Sequence, residues 1–314
     1  MESLLGPSIR RQTTHYDPGV LEGTQVATAR DGRTLTFAEW GDPAGFPVFS
    51  LHGTFGSRFR RHYDESVYSS VGARVITYNR PGYGESDRHR GRRVVDCVDD
   101  VAALADALGI EQFSVIGGSG GGPHALAVAA RLPGRVRRAT CMVGIAPYDT
   151  VDFDWFDGMD DVNVRLFGLA LQGEDVLVTE LEREAAQILE RVAADPAKVI
   201  GDEVDLPEVD RAELARTERH EVIRQSVSEA FRKGVWGWVD DDLCFTNPWG
   251  FDLAEIRVPT RITYGTSDVL VPRRHGEWLA RHVPSAEVVV SEDRGHLDDL
   301  DLVTERYGWL VQPV

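Results

Sequence analysis

The sequence predicts an α/β protein: a three-layer, mostly parallel sheet with a helical cap inserted after the sixth strand. Three features of the sequence predict this. Short apolar, β-prone runs alternate with runs of helical period through the first part of the chain and again near its end. From about Pro147 to Leu253 that alternation stops, and charged amphipathic runs such as Glu174 to Ala194 and Arg211 to Lys233 take its place. Between Phe113–Ile116 and the Ala- and Leu-rich run Ala125–Leu132 lies Gly117-Gly118-Ser119-Gly120-Gly121, a serine among glycines where a strand must turn sharply into a helix.

The elements follow in order. Met1 to Gln12 reads as a loose arm. Thr24–Ala29 and Arg33–Trp40 are strand-like and flank Asp31-Gly32, a strong hairpin signal. Pro47–Leu51 is a short apolar strand ending in His52-Gly53, and Ala73–Tyr78 is the next, followed by the turn-rich Arg80-Pro81-Gly82-Tyr83-Gly84. Val94–Leu108 has helical spacing, Phe113–Gly117 leads into Ser119, and Arg138–Gly144 is the sixth strand. After the insertion come strand Thr260–Tyr264, helix Arg273–Arg281, strand Ala286–Val290 and a last helix near Leu302–Leu310. Strands separated by helices pair in parallel through right-handed crossovers. The expected organisation is a core from 1–147 and 253–314, with the cap at 148–252.

Composition bounds the function. A chain of 314 residues suffices for one α/β domain with a large insertion. Its formal charge of −17 argues against nucleic acid, since neutralising phosphates requires a basic face. Lys198 and Lys233 are the only lysines. Cys97, Cys141 and Cys244 are far apart and odd in number, so no disulfide framework is implied. The polar N-terminus has no apolar signal core, and no segment has the apolar length of a membrane span, so the cytoplasm is the expected location.

Two sites join Ser119. Tyr264-Gly265-Thr266-Ser267-Asp268 follows one late strand, and Arg294-Gly295-His296 follows the next. Neutral His296 can take a proton from the Ser119 hydroxyl, while Asp268 can hold the imidazole tautomer and favour its cation. The order Ser119, Asp268, His296 suits a triad on a parallel sheet, where loops after strands share one edge. Asp149, beyond the sixth strand, is the rival acid. The N–H of Gly120, at a helix N-terminus, can stabilise an oxyanion. The acidic residues Glu292, Asp293, Asp298 and Asp299 near His296 are expected to raise its pKa.

With these motifs the chain resembles an α/β-hydrolase fold protein with a helical cap over nearly its whole length. The resemblance takes in His52-Gly53-Thr54-Phe55-Gly56-Ser57 as the oxyanion loop and Tyr78-Asn79-Arg80-Pro81-Gly82-Tyr83-Gly84-Glu85-Ser86-Asp87 as the loop after the fourth strand. It implies that Thr54 gives the second oxyanion N–H, that Phe55 lies close to substrate, and that the cap sets substrate choice. It also implies a cofactor-independent serine hydrolase acting on a carboxylic ester. The same triad serves amide, lactone and C–C cleavage or acyl transfer, and the fold also serves as a small-molecule receptor. The expected partner is a small molecule with an apolar portion, with no nucleic acid or membrane; a homodimer is left open.

Other residues carry weaker signals. His52 and His124 read as structural or packing residues. Asp152, Asp154, Asp157, Asp160 and Asp161 miss the spacing of a calcium loop, so no metal is expected. Arg58, Arg60 and Arg61 read as an exposed helix face, with a substrate carboxylate as the alternative. The aromatics Phe153, Trp155, Phe156, Trp236, Trp238 and Trp249 either pack the cap on the sheet or line an apolar pocket. Phe55, Trp155 and Trp236 are the candidate substrate-binding residues.

Overall fold

The computed structural model describes residues 25–284, 286–297 and 302–314. The N-terminal arm and residues 298 and 299 lie outside the described residues. Eight strands form one sheet: β1 (Gln25–Thr28), β2 (Thr34–Gly41), β3 (Phe46–Leu51), β4 (Ala73–Tyr78), β5 (Phe113–Gly118), β6 (Val136–Met142), β7 (Thr260–Gly265) and β8 (Ala286–Ser291). Their order is β1-β2-β4-β3-β5-β6-β7-β8. The hairpin β1/β2 and the pair β2/β4 are antiparallel, and all later pairs are parallel. The central strands are buried on both faces, as Val48, Phe49, Val75, Ile76, Phe113 and Val115 show, which requires helices on each side.

The helices are α1 (Ser66–Ser69), α2 (Cys97–Ala107), α3 (Gly121–Arg131), α4 (Asp161–Ala170), α5 (Glu174–Ala194), α6 (Glu208–Ala215), α7 (His220–Ala230), α8 (Trp236–Phe245), α9 (Arg273–His282) and α10 (Val303–Val311). The expected helix from Val94 begins as a 3₁₀ turn at Val94–Asp96 before α2. The sixth strand ends at Met142 rather than Gly144, because Val143 takes a left-handed conformation (φ 42°) that turns the chain off the sheet.

Helices α4 to α8 all fall between β6 and β7, with no strand among them. They have a hydrophobic cluster of their own, built on Leu177, Leu181, Ile188, Ile223, Val227 and Val239. The two ends of the segment belong to the main core instead: Trp155, Met159 and Phe167 at one end, Trp249, Leu253 and Ile256 at the other. The amphipathic run expected from Arg211 to Lys233 is two helices, α6 and α7, broken at Arg216, which is extended (φ −66°, ψ 109°). No described helix is long and apolar enough to cross a membrane.

Candidate active site

Ser119 stands between β5 and α3 with φ 53°, a left-handed conformation rare outside glycine. Its N–H donates to the Met142 carbonyl of β6 (2.9 Å), which fixes the corner against the neighbouring strand. The flanking glycines are dictated by space. A Cβ on Gly117 would lie 2.0 Å from the Gly121 carbonyl oxygen, and one on Gly121 would lie 2.2 Å from that of Leu51.

The loop after β3 closes over this corner. A Cβ on Gly53 would come within 3.8 Å of Ser119 Oγ, and one on Gly120 would meet Thr54 Oγ1 at 2.3 Å. Thr54 and Gly120 therefore face each other beside the serine. Neither backbone N–H donates to another described residue, and Gly120 is the N-cap of α3, where the helix dipole favours negative charge.

Beneath the loop lies a buried ionic network. Asp241 of α8 accepts from Thr54 Oγ1 (2.5 Å), Tyr83 Oη (2.8 Å), Arg80 Nη2 (2.5 Å) and Arg92 Nη2 (2.5 Å). Burial opposes its ionisation, but the two guanidinium groups hold its carboxyl well below the usual carboxylate range. Arg80 also donates to the His52 carbonyl oxygen. Burial and Arg80 keep both nearby histidines neutral, with His124 pushed down to about 3. His124, Asp241 and Cys244 bring three donor atoms within 4.8 Å of one another. A metal ion there would face two fixed cations, because Arg80 and Arg92 already claim both Asp241 oxygens.

On the other side of the serine, His296 follows β8 and Asp268 follows β7. His296 Nδ1 lies 2.8 Å from Asp268 Oδ2, while Asp268 Oδ1 accepts the Leu270 and Val271 N–H groups, each at 2.9 Å. Asp149 is exposed, so the carboxylate that meets the histidine is that of Asp268. Burial pushes the His296 pKa down, but Asp268, then Asp210 and Asp160, outweigh it and leave the pKa raised. The main acidic influences are thus not the sequence neighbours Glu292 and Asp293. Ser119 and His296 line one cavity of about 380 Å³ without a direct hydrogen bond between them, and such contacts often tighten when substrate binds.

Asp210, on α6, had no signal in the sequence. It is buried, and its two oxygens accept the N–H groups of His296 (2.8 Å) and Leu297 (3.1 Å). Gly295 leaves room for this, since a Cβ there would lie 2.1 Å from Asp210 Oδ2.

Phe55 lines the cavity and packs on Trp238, with centroids 4.8 Å apart. Trp155 and Trp236 do not line it, which corrects the expectation for both. Trp155 is buried in the main core, donating to the Ala146 carbonyl (2.8 Å). Trp236 lies under the Arg88 guanidinium (4.1 Å). Two residues apart on one helix point about 200° apart, so with Trp238 facing the cavity Trp236 faces away. Phe167 and Phe245 line the cavity as well. Arg58 is also corrected: it is only 1 % exposed and pairs with the buried Glu229 of α7 (3.0 Å). In the acidic cluster, Asp160 caps α4 and Asp157 pairs with Arg274.

A family model described as the alpha/beta hydrolase fold matches residues 47–202. With the sheet order and the strand-to-helix serine corner, this places the chain in the α/β-hydrolase fold superfamily. Among curated relatives, a non-heme chloroperoxidase from Streptomyces lividans is 36% identical over 124 residues, covering 39% of this chain and 45% of that protein. A 2-hydroxymuconate semialdehyde hydrolase from Pseudomonas putida is 26% identical over 287 residues, covering 85% and 86%. The chain thus spans less than half of the first relative and most of the second. Among solved structures, an esterase from Exiguobacterium antarcticum has the same fold, with a TM-score of 0.64 at 21% identity over 92% of this chain and 99% of that one.

Proposed function

We propose that this protein is a serine hydrolase that cleaves a carboxylic ester through an acyl-enzyme. The observation that carries the reading is the pairing of His296 with Asp268 at 2.8 Å, in the cavity that also holds Ser119 at its left-handed corner. Ser119 Oγ attacks the acyl carbon as His296 takes its proton. The N–H groups of Gly120 and Thr54 hold the tetrahedral oxyanion, where one such donor is worth about 3–4 kcal/mol of barrier. Protonated His296 then passes the proton to the leaving alcohol. Water, deprotonated by His296, releases the acid. Asp268 holds the imidazole by Nδ1 and favours its cation.

The segment 148–252 serves as the cap in this reading. Its support is that Leu166, Phe167, Trp238 and Phe245 join Ser119 and His296 in one cavity wall, and that Asp210 reaches the histidine loop. The aromatic wall favours a substrate with an apolar portion.

The test is labelling with a fluorophosphonate, followed by a panel of esters, amides and lactones. Labelling and ester turnover should both vanish in Ser119→Ala. Labelling retained in that variant would move the nucleophile elsewhere and overturn the proposal.

A further inference from the structure

Helix α8 carries three consecutive aspartates, and two of them are paired. Asp240 meets the Arg88 guanidinium (2.9 Å), and Asp241 meets Arg80 and Arg92. Asp242 forms no ion pair among the described residues, although it is only 2 % exposed. A leucine could fill the same space without the cost of burying an acid beside a buried carboxylate. The position of Asp242 explains the exception. Trp238, Asp242 and Phe245 share one face of α8, spaced by four and three residues, and all three line the catalytic cavity. The ring of Trp238 packs on Phe55, and the Phe245 ring would lie 3.0 Å from a Cβ on Gly120. Asp242 thus sits between two rings that flank the oxyanion loop and the serine corner.

We propose that Asp242 is the polar recognition point of the acyl pocket, donating a hydrogen bond to a ketone or hydroxyl oxygen on the acyl chain of the substrate. The inference deepens the hydrolase reading and rests on it. Burial is the main influence on Asp242, and the neighbouring Asp241 carboxylate adds to it. Both favour the uncharged acid, and the Trp238 indole, one turn earlier, opposes them only in part. An uncharged acid has an O–H to donate, and no described residue accepts it. A ketone or hydroxyl oxygen on the acyl chain can. A plain alkyl chain would leave this donor without a partner between the Trp238 and Phe245 rings, which is how such a site discriminates.

The experiment compares p-nitrophenyl levulinate with p-nitrophenyl pentanoate, and p-nitrophenyl 3-hydroxybutanoate with the butanoate, on the full chain. We expect kcat/KM to favour the oxygenated member of each pair. Asp242→Leu should lower that preference about tenfold or more. Asp242→Asn, whose amide can also donate, should keep the preference within about threefold. No preference in the wild type, or one that survives Asp242→Leu, would overturn the proposal. So would a ketone preference that rises in Asp242→Asn, because that would mean the native group is an ionised acceptor. Should Asp242→Leu fail to fold, Asp242→Ser, with the donor drawn back from the cavity, must show the same loss. A separate arm titrates methyl levulinate and methyl pentanoate into Ser119→Ala protein by calorimetry. Tighter binding of the levulinate without turnover of any ester by the wild type would sink the hydrolase reading while supporting Asp242 as the contact.

Discussion

The Asp210 carboxylate and the His296 backbone, 86 residues apart in sequence, are joined by a 2.8 Å hydrogen bond from the His296 N–H. The second Asp210 oxygen holds the next N–H, that of Leu297. One carboxylate from the helical insertion thereby fixes the backbone of the histidine loop. Its charge also favours the imidazolium. Replacing Asp210 by Ala should lower kcat about ten- to a hundredfold, because small errors of placement are costly in catalysis. It should also move the acid limb of the pH–rate profile to lower pH. A loss of kcat with no movement of that limb would mean that the carboxylate acts on the loop geometry alone.

The pH dependence of the native protein follows from the raised His296 pKa. The base works only when neutral, so kcat/KM should fall with decreasing pH, with a midpoint above the ordinary value of about 6.5. Stability runs the other way. A pKa raised on folding contributes stability that is fully present below the unfolded value and is lost as pH rises through the folded one. A pH–rate profile and denaturation curves across the same range would check both. A midpoint below the ordinary value would contradict the balance of burial and carboxylates around His296.

Asp268 and Asp149 should separate cleanly. Asp268→Asn leaves the histidine in the wrong tautomer, a change that costs roughly four orders of magnitude in a serine protease. Asp149→Asn, at an exposed position, should stay near wild type. Steady-state turnover of the two variants, each checked for folding, gives the ranking; the reverse order would reassign the acid.

Gly120→Ala is expected to abolish the oxyanion site while sparing the sheet. Its Cβ would meet Thr54 Oγ1 at 2.3 Å and Phe245 at 3.0 Å, so the loop must withdraw. Turnover should drop by about a hundred- to a thousandfold. A variant with full activity would place the oxyanion donors elsewhere.

Glu229 is buried, accepting from Arg58, Asn79 and Arg232. Arg58 is equally buried, and burial pulls its pKa down despite the carboxylate. Glu229→Gln removes the carboxylate paired with that guanidinium and should destabilise the fold by about 3–5 kcal/mol. Urea denaturation of the two proteins measures the difference. A loss below about 1 kcal/mol would mean that the pair is dispensable.

The elements of the core were legible because they obey local rules. Alternating periods mark the strands and helices, and the Gly117-to-Gly121 corner announces its own geometry. Even the break in rhythm at Pro147 located the helical segment. What stayed hidden depends on charge meeting charge across the chain. Asp210, Asp241 and Asp242 lie among other acidic residues in the sequence, and nothing periodic links them to His296, Thr54 or Ser119. Arg58 misled for the same reason, since its partner Glu229 is 171 residues away. Trp236 and Trp238 could be told apart only once the helix had a facing.

The Asp241 network also sets an order of assembly. Thr54, Arg80 and Arg92 belong to the first third of the chain, yet their shared carboxylate arrives 187, 161 and 149 residues later. As the polypeptide leaves the ribosome, the early strands can pair and the serine corner can form. The two guanidinium groups, however, have no buried counter-ion until α8 is made, and burying them unpaired is costly. The oxyanion loop therefore sets only once Asp241 has been made, and Asp268 and His296 follow later still, so the nascent chain carries an exposed serine long before it can use it.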